Sequence, residues 1–198
     1  MSWVTRPKVL VLTGSVGLVT FFLILGWVLP GGVELWVVRV KGDEPLLVLP
    51  MEEGERFTIH YYHSVEESPI WEEHSLDKKG TIYVEEERYL KFGAGMGRMP
   101  GVGRMVKRGP YEVIEEMHMP IGQFILRVGS KGVDHTVIWR GVRVNLSKMA
   151  EHEALRFYGR PVGLLYALWR KAFPHPTTPR VSGDQDGQRS FYNHGDCS

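Results

Sequence analysis

Between positions 60 and 74 the chain reads His60-Tyr-Tyr-His63-Ser64-Val-Glu66-Glu-Ser-Pro-Ile-Trp71-Glu72-Glu73-His74, gathering imidazoles, a hydroxyl and carboxylates into fifteen residues. Three chemistries use such groups: nucleophilic attack by a serine–histidine pair, proton transfer between histidine and carboxylate, and metal ligation. The strand-like pattern of residues 57–66 restricts all three. On an extended strand Phe57, Ile59, Tyr61, His63 and Val65 share one face, while Thr58, His60, Tyr62, Ser64 and Glu66 share the other. His63 and Ser64 then point apart, which disfavours a serine hydrolase unless the strand bulges or ends there. His60 and His63 also diverge, unlike two histidines one helical turn apart. A metal set of His60, His63, Glu66, Glu73 and His74 is therefore not demanded by the spacing, and no metal is assigned. Two readings of His63 stay open: a group that touches a ligand or passes a proton, and a buried histidine hydrogen-bonded to Glu73 across a hairpin. Glu66, Glu72 and Glu73 read as a solvated acidic face or, together with His63, as part of a site.

A second polar feature runs from Lys91 to Gly109 and contains five basic residues and no acidic one. Amides around Gly93 and Gly95 can turn toward an anion while Arg98 offers a bidentate fork for carboxylate or phosphate. The strand-to-helix setting of a nucleotide-binding glycine loop is missing, so no cofactor is assigned. The alternative is a surface loop with solvated charges.

These groups need a scaffold, and short runs rich in Val, Ile, Tyr, Phe and Trp between turn signals supply one. Strands are expected at Glu34–Val40, Pro45–Met51, Arg56–Val65, Ile70–Leu76, Thr81–Glu87, Tyr111–His118, Gln123–Val128, Asp134–Trp139 and Val142–Leu146. The fold class is all-β, an antiparallel sandwich or barrel with short C-terminal helices. In the seventh run Phe124, Leu126 and Val128 alternate with Gln123, Ile125 and Arg127, so Arg127 points outward or into a site. From Ser147 the apolar spacing changes and reads as two helical pieces broken at Pro161, the second ending Trp169-Arg-Lys171. That helix rests on a membrane surface or packs over the open end of the β domain. The stretch 174–198 is rich in Pro, Thr, Ser, Gly, Asp and Gln and is expected to be disordered.

No residue from Val9 to Val33 is charged, and Val9–Leu29 meets the roughly 20 apolar residues that cross a bilayer. Arg6 and Lys8 precede the run and Glu34 is the first charge after it, so the N-terminus stays cytoplasmic and the rest lies outside. A cleaved signal peptide is the competing reading, but Gly26-Trp-Val-Leu-Pro30 is not a small-x-small site. The organisation is an anchor over 1–33, a β domain over 34–146, a helical extension over 147–173 and the tail. The lone cysteine, Cys197, rules out an intramolecular disulfide, and a formal net charge of +1 argues against nucleic acid as partner.

His63-Ser-Val-Glu66, then Pro69 and Glu73, Phe92-Gly-Ala-Gly95, and Leu126-Arg-Val-Gly129 before His135 together resemble the family named domain of unknown function 1850, from about Phe57 to Leu146. Members are small exported prokaryotic proteins often encoded beside TRAP-type transporters of the TAXI subclass, which import organic acids. The resemblance implies an accessory role near such a transporter and implies no reaction. The positions it carries over are His63, Ser64, Glu66, Glu73, Gly93, Gly95, Arg127 and His135. The leading expectation is a membrane-anchored, non-enzymatic β domain that binds a small carboxylate or docks on transporter subunits. An enzyme using His63 with Glu66 or Glu73 as acid and base, and a scaffold stiffened by a buried polar network, are the alternatives.

Overall fold

The computed structural model describes residues 16–18, 20–22, 24–63, 67–90 and 101–179. After residue 29 most of the described chain is antiparallel β-structure in two sheets. One sheet runs β2 (Pro45–Met51), β1 (Pro30–Arg39), β12 (Ala154–Gly163), β9 (Phe124–Arg127). The larger sheet runs β11 (Val142–Asn145), β10 (Thr136–Trp139), β3 (Arg56–His63), β4 (Ser68–Leu76), β5 (Ile82–Tyr89), β7 (Tyr111–Glu115), β6 (Arg104–Arg108), with the short β8 (Met119–Pro120) also paired to β5. Two helices follow late in the chain, α1 (Leu146–Met149) and α2 (Leu164–Ala172).

One core is built from both sheets. Leu35, Val37, Leu47, Leu155 and Phe157 on the smaller sheet meet Phe57, Ile59, Leu76, Ile82 and Val137 on the larger. Each such side chain contributes roughly 1.5–3 kcal/mol on leaving water. The alternation that made Phe57 and Ile59 neighbours on one face is thus the alternation that closes the core. All nine expected strands have a counterpart among the observed ones.

Several expectations need correction. The stretch Ala154–Gly163, read as helical, is a strand, and it lies between β1 and β9. Leu155 and Phe157 point into the core while Arg156 and Tyr158 face outward, a period of two obscured by the apolar residues of α2 that follow it. Gly159 makes this placement possible: a Cβ there would collide with the backbone of Gly80, and Gly80 itself has φ +85°. The β domain therefore extends past Leu146 and begins at Pro30. Within the basic stretch 91–109, residues 104–108 form β6, while Lys91, Gly93, Gly95 and Arg98 fall outside the described residues. At the start of the expected disordered tail, Thr178 Oγ1 donates to the Val48 carbonyl at 2.8 Å and His175 packs edge-on against Trp36. Residues 180–198 lie outside the described part.

The expected span at Val9–Leu29 is described only in pieces, helical at 16–18, 20–22 and 24–28. Among the described residues no helix is long and apolar enough to cross a membrane.

Candidate functional site

Strand β3 ends at His63, which pairs with Ser68 where β4 starts. The loop between β9 and β10 folds over this end, held by the Tyr62 N–H donating to the Val133 carbonyl at 2.7 Å. Between the two lies a cleft of about 320 Å³ lined by Tyr62, His63, Glu67, Ser130, Gly132 and Val133. Glu67 holds φ +45° at its rim, a conformation that non-glycine residues adopt at a cost and that recurs at binding sites.

His135 lies at the end of the covering loop. Its Nδ1 accepts the Gly129 N–H at 3.0 Å, so in the neutral ring the proton sits on Nε2. The His135 N–H donates to Ser147 Oγ at 3.0 Å, and the ring stacks on Tyr61 with centroids 5.1 Å apart. Burial lowers the His135 pKa, Asp134 opposes the fall and His60 adds to it. His135 therefore positions the loop as a neutral ring.

From Tyr61 a polar line continues between the sheets. Tyr61 Oη donates to Glu72 Oε1 at 2.7 Å, and Glu72 pairs across the strands with Glu87, which accepts a bond from Tyr89 Oη. Two carboxylates directly opposite one another repel. Burial pushes the Glu72 carboxyl up to about 7; the Tyr61 hydrogen bond opposes this and the Glu87 charge reinforces it. The side chain nonetheless keeps 28% of its surface open, so solvent reaches it from one side. Burial and the neighbouring carboxylates raise both tyrosines, which stay protonated donors. His74 sits beyond, stacked between Phe57 at 5.1 Å and Phe124 at 5.7 Å, its Nδ1 3.1 Å from the Glu72 carbonyl. Burial drops it to about 4, so it is neutral at pH 7.

Glu73 is elsewhere. It pairs with Thr58, about 16 Å along the strand from His63, and faces the other side of the sheet. The hairpin contact between His63 and Glu73 is thus corrected, and with it an acid–base pair made of these two. Glu73 instead belongs to a ladder of alternating charge on the outer face of the larger sheet. Arg56 meets Glu73 at 2.7 Å, Arg88 bridges Glu73 at 3.7 Å and Glu86 at 2.9 Å, and Arg108 joins Glu86 at 3.3 Å to Glu115 at 2.7 Å. Arg104 ends the row on Glu115 at 2.5 Å, so Arg104 and Arg108, both from the glycine-rich stretch, have acidic partners. Arg127 is exposed on the outer face of the smaller sheet beside Ile125, while Phe124 and Leu126 pack on the core. Ser64, Glu66, Gly93, Gly95 and Arg98 lie outside the described residues.

His60 points to the outer face, wedged against Trp71 at 5.1 Å and Tyr62 at 5.4 Å. Its Nδ1 is buried with no hydrogen-bond partner among the described residues. Burial, with the charge of Arg143, lowers its pKa. His60, His63 and His74 are therefore split between an aromatic cluster, the cleft and the core.

The family model described as Domain of unknown function (DUF1850) matches residues 57–146. The chain carries a DUF1850 domain. No curated protein and no solved structure matches the chain. The DUF1850 segment supplies nearly all of the larger sheet together with β9, whereas β1, β2 and β12 lie outside it. Both walls of the cleft, Tyr62, His63 and Glu67 on one side and Ser130, Gly132 and Val133 on the other, fall inside the match.

Proposed function

We propose that this DUF1850 protein is a membrane-anchored, extracytoplasmic β-sandwich that binds a small organic acid in the His63 cleft as an accessory to a TRAP-type transporter. One observation carries the binding claim: two motif segments far apart in sequence, the one starting at His63 and the one ending at His135, converge on a single cleft. At about 320 Å³ it matches the lower end of small-molecule pockets. The His63 imidazole and the Ser130 hydroxyl offer hydrogen bonds to a carboxylate, Gly132 leaves room for close approach, and Glu67 offers an acceptor for a hydroxyl on the same ligand. A small hydroxy acid suits this set better than a phosphate, whose larger negative charge Glu67 repels more strongly. The transporter enters through the family resemblance.

The anchor rests on exposure. Val16, Leu18, Phe21, Phe22, Ile24, Trp27 and Val28 are all more than half exposed, and at helical spacing they cover about two thirds of the helix circumference, leaving the side on which Gly26 meets Leu165. A helix with apolar side chains over most of its circumference belongs inside a large core or a bilayer, and among the described residues none of these side chains joins the core of the domain.

The test uses the full-length chain in mild detergent, screened for thermal stabilisation by hydroxy and simple carboxylic acids and by inorganic phosphate. Stabilisation by an acid that disappears in His63→Ala supports the cleft, because a ligand that binds only the folded state raises its stability by mass action. No response from any compound refutes small-acid binding and leaves docking or a scaffold held by the Tyr61–Glu72 network. Co-purification with transporter subunits checks the accessory role separately.

A further inference from the structure

Helix α2 has two unlike faces. Tyr166 and Arg170, one turn apart, sit on the outer face of the smaller sheet, where Arg170 Nε donates to buried Glu34 at 3.2 Å and Tyr166 Oη to the same carboxylate at 3.4 Å. The opposite side holds Leu164 and Leu168, with Trp169 at its edge and Phe173 just past the helix end, and the last three are 52%, 54% and 61% exposed. No residue of α2 is fully buried, although the helix is strongly amphipathic. The polar face is thus turned inward against a salt bridge and the apolar face outward, the reverse of a helix packed on its own domain.

The position of α2 relative to the N-terminal helix gives this inversion a meaning. The Leu164 N–H donates to the Leu29 carbonyl at 2.8 Å, tying the first residue of α2 to the last of the apolar run. Three glycines let the two segments touch. A Cβ at Gly26 would stand 2.6 Å from Leu165 Cγ, one at Gly31 2.5 Å from the Gly163 carbonyl oxygen, and one at Gly163 would strike the Trp27 carbonyl. The start of α2 is therefore locked at the level where the apolar run ends and β1 begins. Trp27 and Trp169 are exposed on either side of this joint, and Lys171 is exposed at the rim of the apolar rows. Aromatic residues flanked by basic ones at that level are the composition of a helix lying in a headgroup layer.

We infer that α2 lies in the outer interface of the lipid bilayer, with Leu168, Trp169 and Phe173 entering the acyl boundary, and so fixes the orientation of the β domain on the membrane. This rests on the anchor reading. The occupant is lipid because the exposed side chains of α2 continue into an uncharged run whose described apolar side chains from Val16 to Val28 are mostly exposed; a second copy of the chain would have to cover both surfaces at once.

The experiment places a nitroxide on single cysteines at Leu168→Cys, Phe173→Cys and, as control, Lys107→Cys on β6, each in a Cys197→Ser full-length chain in phosphatidylglycerol–phosphatidylethanolamine vesicles. Paramagnetic broadening by oxygen and by a water-soluble nickel chelate reads depth. At 168 and 173 oxygen should dominate and at 107 nickel should, a reversal of the accessibility ratio. Equal nickel access at all three sites, in protein that still sediments with the vesicles, overturns the interfacial helix and leaves the anchor intact. Protein that does not sediment refutes the anchor instead, and α2 loses its basis with it. Spin–spin broadening at 168 that fades on dilution with unlabelled chain means that a second copy covers the face, which also overturns the assignment. Because Leu168→Cys and Phe173→Cys are made separately, misfolding of one leaves the other to decide.

Discussion

Replacing Glu72 by glutamine tests whether the interior carboxyl pair is organised as described. The new side chain retains the oxygen that accepts from Tyr61 and turns an amide donor toward Glu87, so shape is conserved while one charge is removed. A carboxyl moved from 4.5 to about 7 by folding costs the native state about 3 kcal/mol once both states are ionised. Since solvent still reaches 28% of the side chain, about half of that, roughly 1–2 kcal/mol, is the working figure. The sign follows from proton uptake. Glu72 is protonated in the folded protein over a range where the unfolded chain is ionised, so its contribution is fully present below 4.5 and is lost as pH rises to about 7. His74 acts oppositely: held near 4 instead of 6.5, it adds stability that is lost as pH falls between those values. The parent should therefore show a shallow pH profile through partial cancellation. Glu72→Gln should show a steep one, equal to the parent near pH 4 and more stable by about 1–2 kcal/mol near pH 8. Urea denaturation of the full-length chain in detergent across this range measures both. Parallel curves for the two proteins would refute the reasoning, since they would mean that Glu72 ionises as it does in water.

Three further outcomes follow from the geometry. Glu86→Ala removes the carboxylate shared by Arg88 and Arg108 and should cost about 3 kcal/mol by leaving guanidinium groups partly buried without it, whereas Arg104→Ala at the exposed end should cost less than about 1 kcal/mol; chemical denaturation separates them. Gly159→Ala drives a methyl group into the Gly80 backbone and should lose about 2 kcal/mol or more, visible as a lowered melting temperature. His63→Ala should change stability by less than about 1 kcal/mol while abolishing stabilisation by the acid that the parent binds, which thermal shift reads directly.

Most of the sheet could be read from the chain because its strands are short and alternate cleanly. Gln123–Val128 is the clearest case, with Phe124 and Leu126 inside and Ile125 and Arg127 outside as the period requires. The C-terminal strand escaped because its inward residues, Leu155 and Phe157, are few and are followed at once by the leucines of α2, so the mixed stretch acquired a helical spacing. Strand β6 was hidden by glycine and by charge that reads as loop until Glu86 and Glu115 are seen beside it. At the site, the alternation that separates His63 from Ser64 also places Glu72 with Ile70, His74 and Leu76. Applied to β4, it would have turned Glu72 inward and Glu73 outward. The pairing of Glu72 with Glu87, and the distance of Glu73 from His63, depend on strand register, which opposes His63 to Ser68 and which composition does not specify.

The place of β12 has a consequence for how the protein is made. Leu35 pairs with Gly159 and Val37 with Phe157, so a strand synthesised at the start of the domain waits for its central partner until almost the whole domain exists. Until then β1 and β2 form a bare hairpin and β9 lacks its neighbour. Closing such a long loop is slow, because the chain entropy is surrendered before the contacts form. The larger sheet, by contrast, is mostly hairpins between successive strands and can pair as it emerges. The two sheets therefore mature on different clocks, and a nascent chain stopped short of residue 163 displays the hydrophobic side of a completed half with nothing to cover it.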